Sequence, residues 1–225
     1  MINNKLAADT LYYHDLRQPL IVLARGKPRR VLEIGCAAGQ TLAYFKARGA
    51  DYVAGVEISP KVAELARARP AVDAVLVGNI EQMELPYESG SFDLVIAGHV
   101  LEHLVDPWTV LKRLRGLLKP GGQLIGALPN IRYHSVVLPL LFKGKWQYEQ
   151  TGIMDWTHLR FFSHQTIEEL LQSSGFSVDA IVPESGGPRA NLANTMTFGV
   201  FRHLLSYAYN FSATKPVATE EMSGS

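Results

Sequence analysis

Histidines and carboxylates stand at short spacings in two places along the chain. Asp155 precedes His158 by three residues, and a histidine with a carboxylate partner is the usual acceptor for a proton that leaves a hydroxyl group. His99, Glu102 and His103 form the second group, in the pattern His-x-x-Glu-His. Both groups also have a structural interpretation, in which the side chains tie a segment together or cap the loop before a helix.

A short apolar run followed by small residues predicts a strand, a tight turn and a helix. Residues 31–34 are apolar except for Glu33, residues 35–39 are small, and residues 41–48 have a helical pattern. Such a turn occurs in many α/β domains, and it also lets backbone N–H groups approach a ligand. Glu57 ends the next predicted strand, 18 residues past Gly39, where a carboxylate can bind both ribose hydroxyls. Because the glycine spacing is not that of dinucleotide sites, a nucleoside ligand fits better than NAD.

The composition favours one ordinary α/β domain over residues 1–225. Apolar residues make up 47%, charged residues 19%, and the net charge is +1, so bulk charge gives no sign of polyanion binding. Basic residues are scattered, and we expect no nucleic-acid partner. The single cysteine, Cys36, excludes an internal disulfide framework. With no signal peptide or membrane-spanning run in the sequence, we expect a cytoplasmic protein.

Seven predicted strands alternate with helices for most of the chain. They begin near residues 31, 53, 74, 92, 123, 176 and 207. Helices are expected at 9–25, 61–69, 106–118, 163–175 and 190–206, with Trp108, Leu111, Leu114 and Leu118 as the buried stripe of the third. Ser59-Pro60 is the N-terminal capping signal of the second. This alternation predicts a mostly parallel sheet with ligands at the carboxyl ends of its strands.

From Val31 to Phe176 the order of motifs resembles class I S-adenosylmethionine-dependent methyltransferases of the type-11 and type-23 kind. Their first motif reads Asp/Glu-x-Gly-x-Gly-x-Gly, and the run from Glu33 to Thr41 departs from it at Ala37. An alanine is expected to fit there if its φ stays negative. The element Asp155-x-x-His158-Leu-Arg160-Phe-Phe162 resembles bacterial methyltransferases of polysaccharide and surface-glycan biosynthesis.

The resemblance implies a Rossmann-like fold and a nucleoside cofactor. We expect a seven-stranded, mostly parallel sheet flanked by helices, with a lid insertion at 131–162, a cofactor-covering N-terminal part at 1–28 and a flexible tail at 217–225. The cofactor is S-adenosylmethionine and the product S-adenosylhomocysteine. Asn79 stands where the family has an acidic residue for the adenine amino group. The residues expected to bind the cofactor are Tyr13, Arg17, Glu33, Gly35, Cys36, Ala37, Gly39, Glu57, Ile58, Asn79, Ile80 and Ala97.

The expected reaction is O-methylation of a sugar or glycan precursor, either free or linked to a nucleotide or lipid, with His158, Asp155 and His99 as catalytic residues. An alternative is O-methylation of a quinone or another small molecule, because His99-x-x-Glu102-His103 resembles the Glu-x-x-Glu-His element of metal-dependent ubiquinone-pathway enzymes. A non-catalytic cofactor-binding module is a further alternative. We expect no metal, because His99 replaces an anionic oxygen with a softer nitrogen.

Overall fold

A computed structural model describes residues 16–217, apart from the side chain of Arg189. Seven strands form one sheet in the order β3-β2-β1-β4-β5-β7-β6, in which β7 runs antiparallel to both of its neighbours. The predicted Rossmann-like, mostly parallel sheet is confirmed. The strands are β1 (Arg30–Ile34), β2 (Tyr52–Glu57), β3 (Ala74–Val77), β4 (Phe92–Gly98), β5 (Leu118–Pro129), β6 (Ser177–Ser185) and β7 (Ser206–Thr214).

Helices cover both faces of the sheet and bury two apolar layers. The first layer contains residues of α4 and α6, the second residues of α1, α2 and α3. The helices are α1 (Gln18–Ile21), α2 (Gln40–Ala47), α3 (Pro60–Arg67), α4 (Pro107–Leu117), α5 (His134–Lys143), α6 (His164–Ser173), α7 (Pro188–Met196) and α8 (Arg202–Leu205), with a 3₁₀ turn at Leu101–His103.

Local capping signals fix where two of these helices begin. The Oγ of Ser59 accepts a hydrogen bond from the N–H of Val62 at 3.4 Å, and Pro60 occupies the first helical position of α3. At α6, Ser163 and Thr166 form a reciprocal capping box. Both signals are visible in the sequence. α3 begins one residue before the predicted position, and α6 begins directly after its N-cap, Ser163.

Two predictions about helices are wrong within the described residues. Residues 16–25 contain only the short helix α1, which begins at Gln18 because Pro19 has no N–H to donate and fits only the first turn of a helix. The predicted helical residues 9–15 lie outside the described residues. Trp108 is not part of the buried stripe: its side chain is 38% exposed. It lies instead beneath the guanidinium of Arg160, 5.8 Å from the ring centroid.

The predicted helix at 190–206 is interrupted, and β5 begins earlier than predicted. α7 ends at Met196, and Phe198 and Gly199 both have positive φ before α8 begins. β5 includes residues 118–122, because Leu118 pairs with Phe92 ahead of an irregularity in the ladder.

Residues 131–162 form an excursion between β5 and α6 that we call the β5–α6 segment. It carries α5 and closes on itself through a small apolar cluster of Val136, Ile153 and Met154. Its end returns to the sheet, because Phe162 forms a bridge with Asn130. Across residues 16–217, no helix is long and apolar enough to cross a bilayer.

Candidate active site

The turn between β1 and α2 uses three residues in the left-handed region. Gly35, Ala37 and Gly39 have φ of 67°, 47° and 74°. The expectation that Ala37 keeps a negative φ is therefore wrong, and a left-handed alanine costs about 1 kcal/mol. Gly39 also has no room for a side chain, since an added Cβ would lie 3.1 Å from Val72 and 3.2 Å from Ala66.

Glu57, the last residue of β2, fixes this turn against the sheet. Its Oε2 accepts a hydrogen bond from the N–H of Ala37, and its Oε1 accepts one from the N–H of Ser59, both at 3.0 Å. The side chain is buried, but each carboxylate oxygen keeps a further lone pair. The carboxylate is thus held at the predicted strand end, and its oxygens can accept further hydrogen bonds from hydroxyl groups of a ligand.

A cavity of about 580 Å³ opens beside the turn at the carboxyl ends of the strands. Its size is that of a typical small-molecule site. The wall also contains residues that we did not expect to bind a ligand, namely Val100, His103, Leu104 and Thr157. The predicted site residues in its wall are Arg17, Gly35, Ala37, Glu57, Ile58, Asn79, Ile80 and His99.

Four predicted cofactor residues lie outside the wall of this cavity. The sulfur of Cys36 packs against Gly55 in the interior, and burial raises the pKa of this thiol. Ala97 is fully buried in β4, and Gly39 serves the close packing of the turn. The fourth, Glu33, is described below. The position of Tyr13 lies outside the described residues.

Glu33 is a buried carboxylic acid beneath the cofactor turn. Burial raises its pKa to about 7, against the opposing effects of the Arg17 charge and a hydrogen bond with Thr41. Its Oε2 has no hydrogen-bond partner among the described residues. Arg17, which lines the cavity, donates a hydrogen bond to the carbonyl of Gly98. An acid and a guanidinium therefore stand together at this end of the site.

Asp155 and His158 do not form the direct hydrogen bond that the sequence suggested. The carboxylate of Asp155 accepts hydrogen bonds from the hydroxyl and the N–H of Thr157, at 2.6 and 2.8 Å. Although partial burial opposes ionisation, these bonds hold the pKa of Asp155 below its usual value. The Nδ1 of His158 donates instead to the carbonyl of Ile153 at 2.9 Å. This bond leaves the lone pair on Nε2 of His158.

His158 lies next to His103 and Glu102 of the second predicted group, so that residues of both groups form one cluster. Its ring lies 4.7 Å from that of His103, measured between centroids. The Nδ1 of His103 lies 3.2 Å from the carbonyl of Thr157, which assigns the lone pair of this ring to Nε2 as well. Glu102 is buried; its Oε1 lies 3.3 Å from Nδ1 of His99, and its Oε2 has no hydrogen-bond partner in the described chain.

We call Glu102, His103 and His158 the histidine–carboxylate cluster. One ligand atom of each lies within 4.8 Å of those of the other two. Two imidazole lone pairs beside a carboxylate oxygen can hold a proton taken from a hydroxyl group, and the same set can hold a divalent cation. His99, with φ of 53°, keeps its ring against Glu102 from a backbone conformation that is rare outside glycine.

Comparison with known proteins identifies the class to which this site belongs. A family described as a methyltransferase domain matches residues 9–181. The chain belongs to this methyltransferase family. The prediction of a class I S-adenosylmethionine-dependent methyltransferase domain is thereby confirmed.

Individual relatives of this methyltransferase carry more specific names. The mitochondrial ubiquinone biosynthesis O-methyltransferase of Homo sapiens is 30% identical over 170 residues, which are 70% of this chain and 44% of that protein. The 27-O-demethylrifamycin SV methyltransferase of Amycolatopsis mediterranei is 36% identical over 99 residues, 42% of this chain and 36% of the relative. The chain thus spans less than half the length of these two relatives.

A solved structure supports the fold of the methyltransferase over most of its length. The S-adenosylmethionine-dependent methyltransferase of Archaeoglobus fulgidus superposes with a TM-score of 0.67 at 21% identity, covering 92% of this chain and 94% of the other. At this identity the match concerns the fold alone.

The residues present in the methyltransferase cavity fit S-adenosylmethionine. The carboxylate of Glu57 can accept hydrogen bonds from both ribose hydroxyls. The exposed side chain of Ile58 offers an apolar surface for the nucleoside in the same wall. Arg17 in the cavity wall supplies a positive charge that suits the carboxylate of a methionine group. Glu33 lies beneath the turn, and its Oε2, which has no hydrogen-bond partner among the described residues, is an acceptor that suits the ammonium group. The set is one that a nucleoside carrying an amino acid can satisfy.

Asn79 is held by its own turn. Its Oδ1 accepts a hydrogen bond from the N–H of Glu81 at 2.9 Å. A carboxamide has only this one oxygen, so the predicted bond from the adenine amino group must use the second lone pair of the same atom. An acidic residue at this position would offer a second oxygen.

Among the wall residues that sequence reasoning missed, Thr157 is the one that joins the two predicted groups. It lines the cavity and joins Asp155 to the ring of His103, whose Nδ1 lies 3.1 Å from its Oγ1. The pattern Asp-x-Thr is typical of a turn in which the aspartate side chain caps the next residues, and this was the available signal.

Replacing Ala37 with glycine should stabilise the methyltransferase by up to about 1 kcal/mol, because glycine adopts the left-handed region without the steric cost that an alanine meets. The measurement is the free energy of unfolding in urea, and Ala43→Gly within α2 is a control expected to destabilise the protein. Equal destabilisation by both substitutions would contradict a strained Ala37.

Replacing Glu57 with alanine should weaken S-adenosylhomocysteine binding by about 1.5–3 kcal/mol, since a charge-assisted contact to the ribose is lost. Titration calorimetry measures the effect, with Glu64→Ala on the exposed surface of α3 as the control. Because Glu57 also holds the N–H groups of Ala37 and Ser59, the folded fraction is checked first by circular dichroism. A folded variant with unchanged affinity would remove Glu57 from the cofactor site.

Proposed function

We propose that this protein is an S-adenosylmethionine-dependent O-methyltransferase that uses the histidine–carboxylate cluster to accept the proton of an acceptor hydroxyl. The observation that carries the proposal is the cluster itself: two imidazoles with assigned Nε2 lone pairs and one unpaired carboxylate oxygen, in part lining the same cavity as the cofactor turn.

The chemistry asks the protein for alignment and for a proton acceptor. S-adenosylmethionine supplies a methyl group already activated by its sulfonium. With the cofactor bound, the acceptor oxygen would form its bond to the methyl carbon as the carbon–sulfur bond breaks, and Nε2 of His158 would take the hydroxyl proton. The buried Glu102 stabilises the resulting positive charge. The cavity wall holds the reactants in one orientation, which lowers the entropic part of the barrier.

A phenolic or quinol-type hydroxyl is the first candidate acceptor. The human relative bears a ubiquinone biosynthesis O-methyltransferase name and the Amycolatopsis relative the name of an O-demethylrifamycin methyltransferase. The Glu102-His103 pair also matches the second half of the Glu-x-x-Glu-His element. In this proposal the β5–α6 segment supplies the acceptor side as a lid.

A sugar or glycan hydroxyl is the second candidate. The ring of Trp156 is 72% exposed, close to the cavity residue Thr157, and flat apolar surfaces of this kind suit sugar rings. The rings of Trp146 and Tyr148 also contact Phe161 in the β5–α6 segment. The proposal places the enzyme in the cytoplasm, consistent with the free thiol of Cys36.

An acceptor panel tests the proposal. Purified full-length protein is incubated with S-adenosylmethionine and catechols, quinols, nucleotide sugars or glycan extracts, and the products are analysed by mass spectrometry. We expect S-adenosylhomocysteine together with an O-methylated aromatic acceptor. Methylation on carbon or nitrogen would contradict the proposal, and cofactor binding without turnover on any acceptor would favour a binding module.

A further inference from the structure

The surface formed by α5 and the stretch from α7 to α8 carries large apolar side chains that nothing in the described chain covers. Leu141 and Phe142 at the end of α5 are 70% and 75% exposed. Between α7 and α8, Phe198 is 96% exposed and Val200 is 74% exposed. Single exposed apolar residues are common, but several on neighbouring elements mark an interaction site.

These two elements lie next to each other in the fold. α5 packs against α8, and the ring of Tyr133 at the start of α5 occupies the space that a side chain on Gly186, just before α7, would fill. The elements that carry the exposed apolar side chains are therefore neighbours in the fold. We call the surface that these elements form the α5–α8 surface.

The backbone at Phe198 holds an aromatic ring out in solvent. Its φ is 50°, a conformation that is a genuine outlier for a bulky residue. The described chain gains no packing from this ring. The left-handed backbone itself ends α7, because the N–H of Phe198 donates to the carbonyl of Thr195 and the N–H of Gly199 donates to that of Asn194. The ring projects from this turn with its apolar surface available for an external contact.

The charge around the α5–α8 surface has one sign. Residues 131–148 and 186–217 contain no Asp or Glu, whereas the chain as a whole has 21 in 225 residues, which would place between four and five in these 50. Exposed cations flank the apolar side chains, namely Arg132, Lys143, Lys145 and Arg202. Apolar side chains between basic ones, without acidic residues, are typical of surfaces that lie on anionic lipid.

We propose that the α5–α8 surface docks onto an anionic lipid bilayer. Phe142, Phe198 and their apolar neighbours enter the interface, and the lysine and arginine groups meet lipid phosphates. The β5–α6 segment that carries α5 also supplies Thr157 to the cavity wall. Docking would therefore bring a bilayer-held acceptor to the methyltransferase site, an extension that rests on the proposed function.

Vesicle cosedimentation of the full chain tests the proposal without any acceptor. The probes are phosphatidylcholine vesicles with or without about one third phosphatidylglycerol, at low and high salt. We expect binding to the anionic vesicles alone, weakened by salt. Phe142→Asp, Phe198→Asp and the double change Lys143→Glu with Lys145→Glu should each lower the partition coefficient at least tenfold.

Leu65→Asp is the matched control, because Leu65 is an exposed apolar residue of α3 beside β3, the strand at the opposite edge of the sheet. S-adenosylhomocysteine affinity is measured for every variant, so that a failed docking surface is distinguished from a failed cofactor site. Wild-type protein that binds S-adenosylhomocysteine yet leaves anionic vesicles unbound at low salt would overturn the proposal. Equal loss in Leu65→Asp, or a dimer that Phe198→Asp dissociates without any vesicle binding, would also overturn it.

Discussion

Replacing His158 with alanine should lower kcat by about 10²–10⁴, while the affinity for S-adenosylhomocysteine stays nearly unchanged. The reason is the position of this ring: its Nδ1 donates to the carbonyl of Ile153, so its Nε2 is a free basic atom of the cluster, next to the buried Glu102. Its contact with the cofactor turn is indirect, because Thr157 and His103 form the cavity wall beside it.

The measurement is single-turnover methylation of an acceptor found in the panel, paired with calorimetry of cofactor binding. His134→Ala is the matched control, since His134 begins α5 in the same β5–α6 segment, and it should retain turnover. Full activity of His158→Ala would exclude His158 as the base. Joint loss of folding and cofactor binding would make it a structural residue and move the search to His99 or His103.

The histidine–carboxylate cluster also raises the question of a metal. We expect turnover to survive a chelator, because one position of the Glu-x-x-Glu-His element is His99 and the cluster then offers a single carboxylate. Two results together would show that the cluster holds a cation instead. EDTA would abolish wild-type activity and Mg²⁺ would restore it, whereas Mg²⁺ would not restore activity to Glu102→Gln.

Glu33→Gln should stabilise the protein relative to wild type by about 3 kcal/mol once the pH exceeds 7. A pKa raised from 4.5 to about 7 means that the folded protein keeps a proton that the unfolded chain releases. Below pH 4.5 both states hold the proton and the native state suffers no penalty; between pH 4.5 and 7 the wild type progressively loses about 3 kcal/mol. Glutamine is neutral throughout and escapes this loss.

Urea unfolding at several pH values measures the difference between variant and wild type, which isolates Glu33 from other titrating groups. Glu64→Gln, at an exposed position of α3, is the control and should show no pH-dependent difference. A difference between Glu33→Gln and wild type that stays constant from pH 5 to pH 8 would mean that Glu33 is ionised over that whole range.

The parts of the fold that local sequence signals specify were predicted well. Ser59-Pro60 and Ser163 mark helix starts because capping needs only neighbouring residues, and Glu57 ends a strand whose pattern is legible. Helix continuity at 190–206 was overestimated, because Phe198 and Gly199 adopt a left-handed backbone that ends α7 through hydrogen bonds to the carbonyls of Thr195 and Asn194. A phenylalanine gives no sequence signal for a left-handed position.

Sequence motifs named seven of the predicted cofactor residues that line the cavity, whereas they gave no sign of the histidine–carboxylate cluster. Glu102 and His158 are more than fifty residues apart and come together because the backbone carbonyl of Glu102 accepts hydrogen bonds from the N–H groups of Leu159 and Arg160. No local spacing encodes such a contact. Local spacing suggested a hydrogen bond between Asp155 and His158. In the structure, Asp155 accepts hydrogen bonds from Thr157, and His158 donates to the carbonyl of Ile153.

The place of β7 has a consequence for the order in which the protein is built. β7 is the last strand to be synthesised, yet it lies between β5 and β6 and runs antiparallel to both. Until residue 214 has left the ribosome, β5 is an open edge and β6 has no partner in the sheet. A nascent chain therefore exposes an unpaired strand edge until β7 is made, and such an edge can pair with other chains and aggregate. Translation stalled within the 206–214 stretch would leave a cofactor turn already complete beside a sheet that cannot close.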